Sequence, residues 1–206
     1  MFNIIARHEL TLGIKQLKGY INDTAGIEGW RGAKVSDLAS MIEGALDSKK
    51  LNLFCTLTVQ IEEPKQHNHI KTIHFNGIVS TYQTCTVVLV NGLRKMVDFK
   101  ELVELVDDQI SGPVADKIII HPTLVDAVKR TQSLWGTKAT TRRLVNEVLS
   151  KNNSGASITT GQVSFVMPNY SVKLRVQNGM DVIEVSDAQG FKSLISFETL
   201  CSMIYN

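Results

Sequence analysis

Residues 172–185 read VKLRVQNGMDVIEV, and the Asn178-Gly179 pair at their centre decides how the chain folds. A two-residue hairpin loop of type I′ needs positive φ at both positions, and Asn followed by Gly tolerates that best. With the loop fixed there, Leu174 falls opposite Ile183 and Val172 opposite Val185, while Lys173 falls opposite Glu184 on the other face. One register thus makes an apolar face and an opposite-charge pair at once, which predicts antiparallel hairpins as the building unit of the sheet.

The same dipeptide recurs at Asn76-Gly77 and Asn91-Gly92, each between apolar, β-branched residues. Around Asn91-Gly92 both faces are apolar, through Val87, Val88, Leu89, Val90, Leu93, Met96 and Val97, which predicts a central hairpin covered on both sides. Upstream, Leu51, Leu53, Cys55, Leu57, Val59 and Ile61 alternate with Asn52, Phe54, Thr56, Thr58, Gln60 and Glu62, the period of a long half-buried strand. After the second hairpin, Asp98 with Glu101 three residues on is a capping-box pattern. It opens a helix that buries Phe99, Leu102, Val103, Val106 and Ile110 and stops at Gly112-Pro113.

Helical spacing appears at both ends and in the middle. Leu10, Ile14, Leu17 and Ile21 form one stripe of a helix, and Ser36 is placed to cap a second with Leu38, Ile42, Ala45 and Leu46 inward. Pro122 suits a helix start before Leu124, Val125 and Val128, and a helix over 139–150 would bury Leu144, Val145, Val148 and Leu149. Strands follow over 157–167, 171–177, 180–186 and 190–195, then a helix capped by Ser196 with Phe197, Leu200, Cys201 and Ile204 on one face.

The expected fold class is α+β: hairpin-built antiparallel sheet with packed helices, as two ββββα halves joined by a helical segment. The segments are an N-terminal helical part over 1–50, a first ββββα unit over 51–110, a basic helical connector over 111–154 and a second ββββα unit over 155–206. A paired ββββα order resembles the Whirly-like binders of single-stranded nucleic acid. The likeness covers about half the chain and lies in the order of elements; the helical segment between the halves departs from it.

The 206 residues suffice for a full core, and a net charge of +2 with 43% hydrophobic residues implies no polyanion partner for the chain as a whole. Cys55, Cys85 and Cys201 are odd in number and far apart, against a disulfide framework or a zinc knuckle, so a reducing compartment is expected. The first twenty residues, MFNIIARHELTLGIKQLKGY, lack a signal-peptide apolar run, and no window is long and apolar enough to span a bilayer. These features predict a cytoplasmic protein with no membrane partner.

Charge is strongly local. Residues 98–116 hold six acids against one base and residues 129–151 six bases against one acid, for net charges of −5 and +5. Lys129, Arg130, Lys138, Arg142 and Arg143 surround Trp135, a pattern in which cations contact phosphates while the indole stacks on a base. Solvated helix faces, or acidic and basic helices facing each other within or between subunits, account for the same pattern.

Other candidates are weaker. His67, His69 and His74 lack metal-site spacing, Gly26, Gly29 and Gly32 follow a helix and not a strand, and Asp107 and Asp108 diverge around a helix. Phe54, on the polar face of its strand, is either a stacking platform or packed under a second layer. No nucleophile-elbow, phosphate-loop or zinc-protease motif occurs. The expectation is therefore a non-catalytic binding protein with no cofactor and no metal, its partner single-stranded nucleic acid held through Lys129, Arg130, Trp135, Lys138, Arg142 and Arg143. The alternative is a structural subunit of a homo-oligomer or of a larger assembly such as a viral one, and an enzyme with a site assembled from distant residues comes third.

Overall fold

The computed structural model describes residues 6–46, 55–75, 83–112, 120–151, 156–159, 161–166 and 170–205. The chain falls into two compact units, Met1–Ala115 and Asp116–Asn206. Both are built mostly from antiparallel strands with packed helices, so the fold is α+β. The Asn76-Gly77 turn and Phe54 lie outside the described residues.

The first unit holds β1 (Ala6–Leu12), α1 (Ile14–Glu28), α2 (Val35–Leu46), β2 (Cys55–Ile61), β3 (Ile70–Phe75), β4 (Thr84–Leu89), β5 (Arg94–Asp98) and α3 (Phe99–Ser111). Its strands lie side by side in chain order. Leu10 is not helical: β1 pairs in parallel with β2, from Ala6 opposite Cys55 to Leu12 opposite Ile61. Gly13 separates strand from helix, its N–H bonded to the Gln16 side chain at 2.9 Å. Ser36 is not the cap of α2 either. It lies inside the first turn, and the Lys34 N–H donates to the Asp37 carboxylate at 2.9 Å.

The capping box of α3 forms in full: the Glu101 N–H donates to Asp98 at 2.8 Å and the Asp98 N–H to Glu101 at 3.3 Å. The Asn91-Gly92 loop differs from its expectation. Only Gly92 has positive φ, 84°, the Gly92 N–H bonds the Leu89 carbonyl at 3.0 Å and the Leu89 N–H bonds the Leu93 carbonyl at 2.8 Å. That is a three-residue loop with glycine in the left-handed position, favoured because the Asn91 side chain accepts the Leu93 N–H at 3.0 Å. Nor is this hairpin covered on both sides, since Met96 is 67% exposed. Across the same face the register aligns Thr58, His74, Thr86 and Met96, whereas Val59, Ile73 and Val87 of the next row are buried.

Three of the four acids of α3 are used within this unit. Asp107 meets Lys18 at 2.6 Å, Glu101 meets Lys95 at 3.1 Å and Glu104 lies 3.9 Å from Lys100.

The second unit holds α4 (Pro122–Trp135), α5 (Thr141–Ser150), β6 (Ser157–Thr159), β7 (Gln162–Val166), β8 (Tyr170–Gln177), β9 (Met180–Asp187), β10 (Lys192–Ile195) and α6 (Phe197–Tyr205). The expected strand over 157–167 is instead a hairpin: Thr159 pairs with Gln162 and Ile158 with Val163. Gly161, with φ 70°, permits the reversal that a continuous strand would forbid. This unit therefore has five strands before its helix, one more than expected, with β6 added ahead of the four strands that lead into α6.

The β8–β9 hairpin keeps the register read from the sequence, with Val172 opposite Val185, Lys173 opposite Glu184 and Leu174 opposite Ile183. Asn178 and Gly179 both have positive φ, 51° and 77°. On the apolar face Val172, Leu174, Ile183 and Val185 are buried, and α5 packs there through Leu144, Val145 and Val148. Each such side chain contributes on the order of 1.5–3 kcal/mol. At the start of α6 the Ser196 hydroxyl accepts the Thr199 N–H at 3.1 Å, the expected cap.

Candidate nucleic-acid interface

Helix α4 ends where Gly136, with φ 72°, turns the chain and returns its N–H to the Gln132 carbonyl at 2.7 Å. Trp135 is thereby the last helical residue, 41% exposed, and four residues later Ala139 is buried again. Thr140 then opens α5, its side chain making no cap bond, and Arg142 and Arg143 occupy a first turn that has no acid. Two cations at a helix N-terminus oppose the macrodipole, while an anion there is favoured.

The geometry brings these residues together. Trp135, Thr140, Arg142, Arg143 and Asn146 line one side of an open cleft of about 620 Å³, and Val176, Gly179 and Asp181 of the β8–β9 hairpin line the other. The hairpin register explains the far wall. Val176 and Asp181 are paired opposite each other two residues beyond the buried Leu174–Ile183 row, on the same face, next to the Asn178-Gly179 turn. The cleft thus joins an exposed aromatic ring, two guanidinium groups, an amide and a carboxylate.

Arg143 lies over the Trp135 ring, its guanidinium carbon 5.1 Å from the ring centroid. Such a contact is worth about 0.5–1 kcal/mol at an exposed site and holds the guanidinium beside the indole. Arg142 has no acidic partner among the described residues.

The other expected contact residues are placed differently. Arg130 is committed to Glu147, Nε to Oε2 at 3.3 Å, a short ion-pair distance whose angle does not make a hydrogen bond, so that oxygen remains without a hydrogen-bond donor. Lys129 on α4 and Lys138 on the turn after it are exposed and do not line the cleft. Sequence reasoning missed Asn146 and Asp181. Asp181 was readable in principle, because the Asn178-Gly179 register puts a carboxylate on the otherwise apolar face.

The remaining candidates offer no comparable chemistry. Among the described residues no group of His, Cys, Asp and Glu is placed to hold a metal ion. Burial holds His69 below its ordinary pKa, helped by the charge of His67. Burial pushes the Cys85 thiol up to about 12 and raises that of Cys201, so neither supplies a thiolate near neutrality. No helix among the described residues is long and apolar enough to cross a membrane. Comparison of the chain with protein families, with curated proteins and with solved structures yields no match.

Proposed function

We propose that the second unit binds single-stranded nucleic acid in the cleft between α5 and the β8–β9 hairpin. The observation that carries this assignment is the convergence of exposed Trp135 with Arg142 and Arg143 at a helix N-terminus whose capping residue makes no side-chain bond. The arginines stand where the helix dipole disfavours them, and phosphate is the common anion that relieves both that dipole and their mutual repulsion. An indole accepts any base by stacking, for roughly 1–3 kcal/mol per base. Duplex DNA keeps its bases paired and stacked, so an aromatic contact of this kind favours a single strand.

Fluorescence anisotropy of a labelled single-stranded oligonucleotide tests this. With two phosphate contacts, log affinity falls with log salt at a slope of about −1.4, so binding weakens roughly sevenfold between 50 and 200 mM salt. Trp135→Ala lowers the affinity further at every salt. Absence of binding at low salt, where the phosphate contribution is largest, refutes the proposal.

A second reading, assembly of copies through a sheet edge, is favoured by β6. This three-residue edge strand carries exposed Ile158, and Val166 on β7 beside it is 76% exposed. A defined oligomer by light scattering, unchanged by oligonucleotide, would support that reading instead.

A further inference from the structure

Resting on the nucleic-acid assignment above, we infer that the cleft selects guanine among the bases it stacks, with Asp181 as the selecting residue. A site built only to hold a phosphate backbone has no use for a carboxylate. Yet Asp181 lines the same cleft as Arg142 and Arg143, and no ion pair joins it to either among the described residues.

An ionised carboxylate is acceptor-only, with two oxygens that can receive two parallel hydrogen bonds. Only guanine presents two adjacent donors on its Watson–Crick edge, the ring N1–H and the exocyclic N2–H. Adenine and cytosine each place one amino donor beside a ring nitrogen lone pair, and thymine and uracil flank their single N–H with two carbonyls. A carboxylate therefore gains a bidentate pair with guanine and meets a facing lone pair with every other base. Asn146, which carries both a donor and an acceptor, fits any of them and does not discriminate. Trp135 supplies the stacking surface on which the base is held.

The backbone fixes where this carboxylate stands. Asp181 is opposite Val176 in the β8–β9 ladder, and its place follows from the two-residue turn at Asn178 and Gly179, both with positive φ. A loop one residue longer would move residue 181 to the other face of the hairpin.

The test titrates the full chain by anisotropy with decathymidylate and with the same strand carrying one central guanine, adenine, cytosine or hypoxanthine. The guanine strand is expected to bind about tenfold or more tightly than the thymine, adenine and cytosine strands, the scale of a bidentate base contact. Hypoxanthine, which lacks the N2 amino group, should fall between guanine and thymine. In Asp181→Asn the guanine preference collapses, the guanine strand binding no more than about twofold differently from the adenine and cytosine strands; a preference that survives the substitution overturns the assignment to Asp181. Equal binding of all five strands, with Trp135→Ala still weakening it, overturns the guanine inference and leaves the nucleic-acid assignment standing. No binding of any strand at low salt overturns both. Should the Asp181 variant not fold, the hypoxanthine comparison on the unaltered chain decides alone.

Discussion

Replacing Arg142 with glutamate should stabilise the protein while abolishing its binding of oligonucleotide. Arg142 is an exposed residue in the first turn of α5, a turn without any acid, and the helix opens on a threonine whose side chain makes no cap bond. Removing a cation from a first turn returns about 0.3–1 kcal/mol, and adding an anion there gains a similar amount. The sum is about 0.6–2 kcal/mol. Asp181 lines the same cleft and would repel the new carboxylate, which lowers the expected gain to about 1 kcal/mol. Urea denaturation followed by circular dichroism measures this as a rise in midpoint at unchanged slope. The gain should shrink in 1 M salt, where the Debye length is about 3 Å. Destabilisation by about 1 kcal/mol or more would mean instead that Arg142 makes a contact on which the fold depends and is not held in reserve for an anion.

Three further outcomes follow from particular residues. Gly179→Ala forces a side chain onto φ 77° in the β8–β9 turn and should cost about 1–2 kcal/mol in the same urea assay; a neutral result would mean that the turn re-forms in another type. Cys85, whose thiol burial raises from 9.0 to about 12, should resist iodoacetamide at pH 8 in the native protein and react in urea, as read by peptide mass. Its contribution to stability is complete below pH 9 and is lost as pH rises through 12, since the unfolded thiol ionises first. His69, held below 6.5 chiefly by burial, should titrate at a lower pH than a free histidine by NMR; its contribution to stability is present above 6.5 and is lost as pH falls through its folded value. A His69 midpoint at or above 6.5 would contradict the burial of its ring.

The hairpins and caps were legible in the sequence where a local rule carried its own geometry. Asn178-Gly179 fixed the β8–β9 register because one pairing satisfied both faces, and Asp98, Pro122 and Ser196 marked helix starts through hydrogen bonds or the lack of an N–H that any sequence context shares. What failed were segments with two readings. Leu10 fits the stripe of α1 and equally the alternation of Leu10 and half-buried His8 with exposed Glu9 and Thr11, and only the parallel partner strand about fifty residues away decides for β1. The turn at Gly161 was hidden because a lone glycine in a run of polar and β-branched residues marks either a bulge or a reversal. Of the six expected contact residues, three meet in the cleft. Which three depended on tertiary placement: nothing local distinguishes Arg130, which Glu147 engages across the α4–α5 packing, from Arg142 or Arg143.

Stacking of a nucleic-acid base on Trp135 would change the fluorescence of that residue itself. The chain has two tryptophans, so Trp30→Phe leaves Trp135 as the single indole emitter. Titration of this variant with an unlabelled single-stranded oligonucleotide at low salt is predicted to quench the emission saturably, and added salt to restore it. Binding seen by anisotropy without any change in Trp135 emission, or no binding at all, would mean that no base stacks on Trp135.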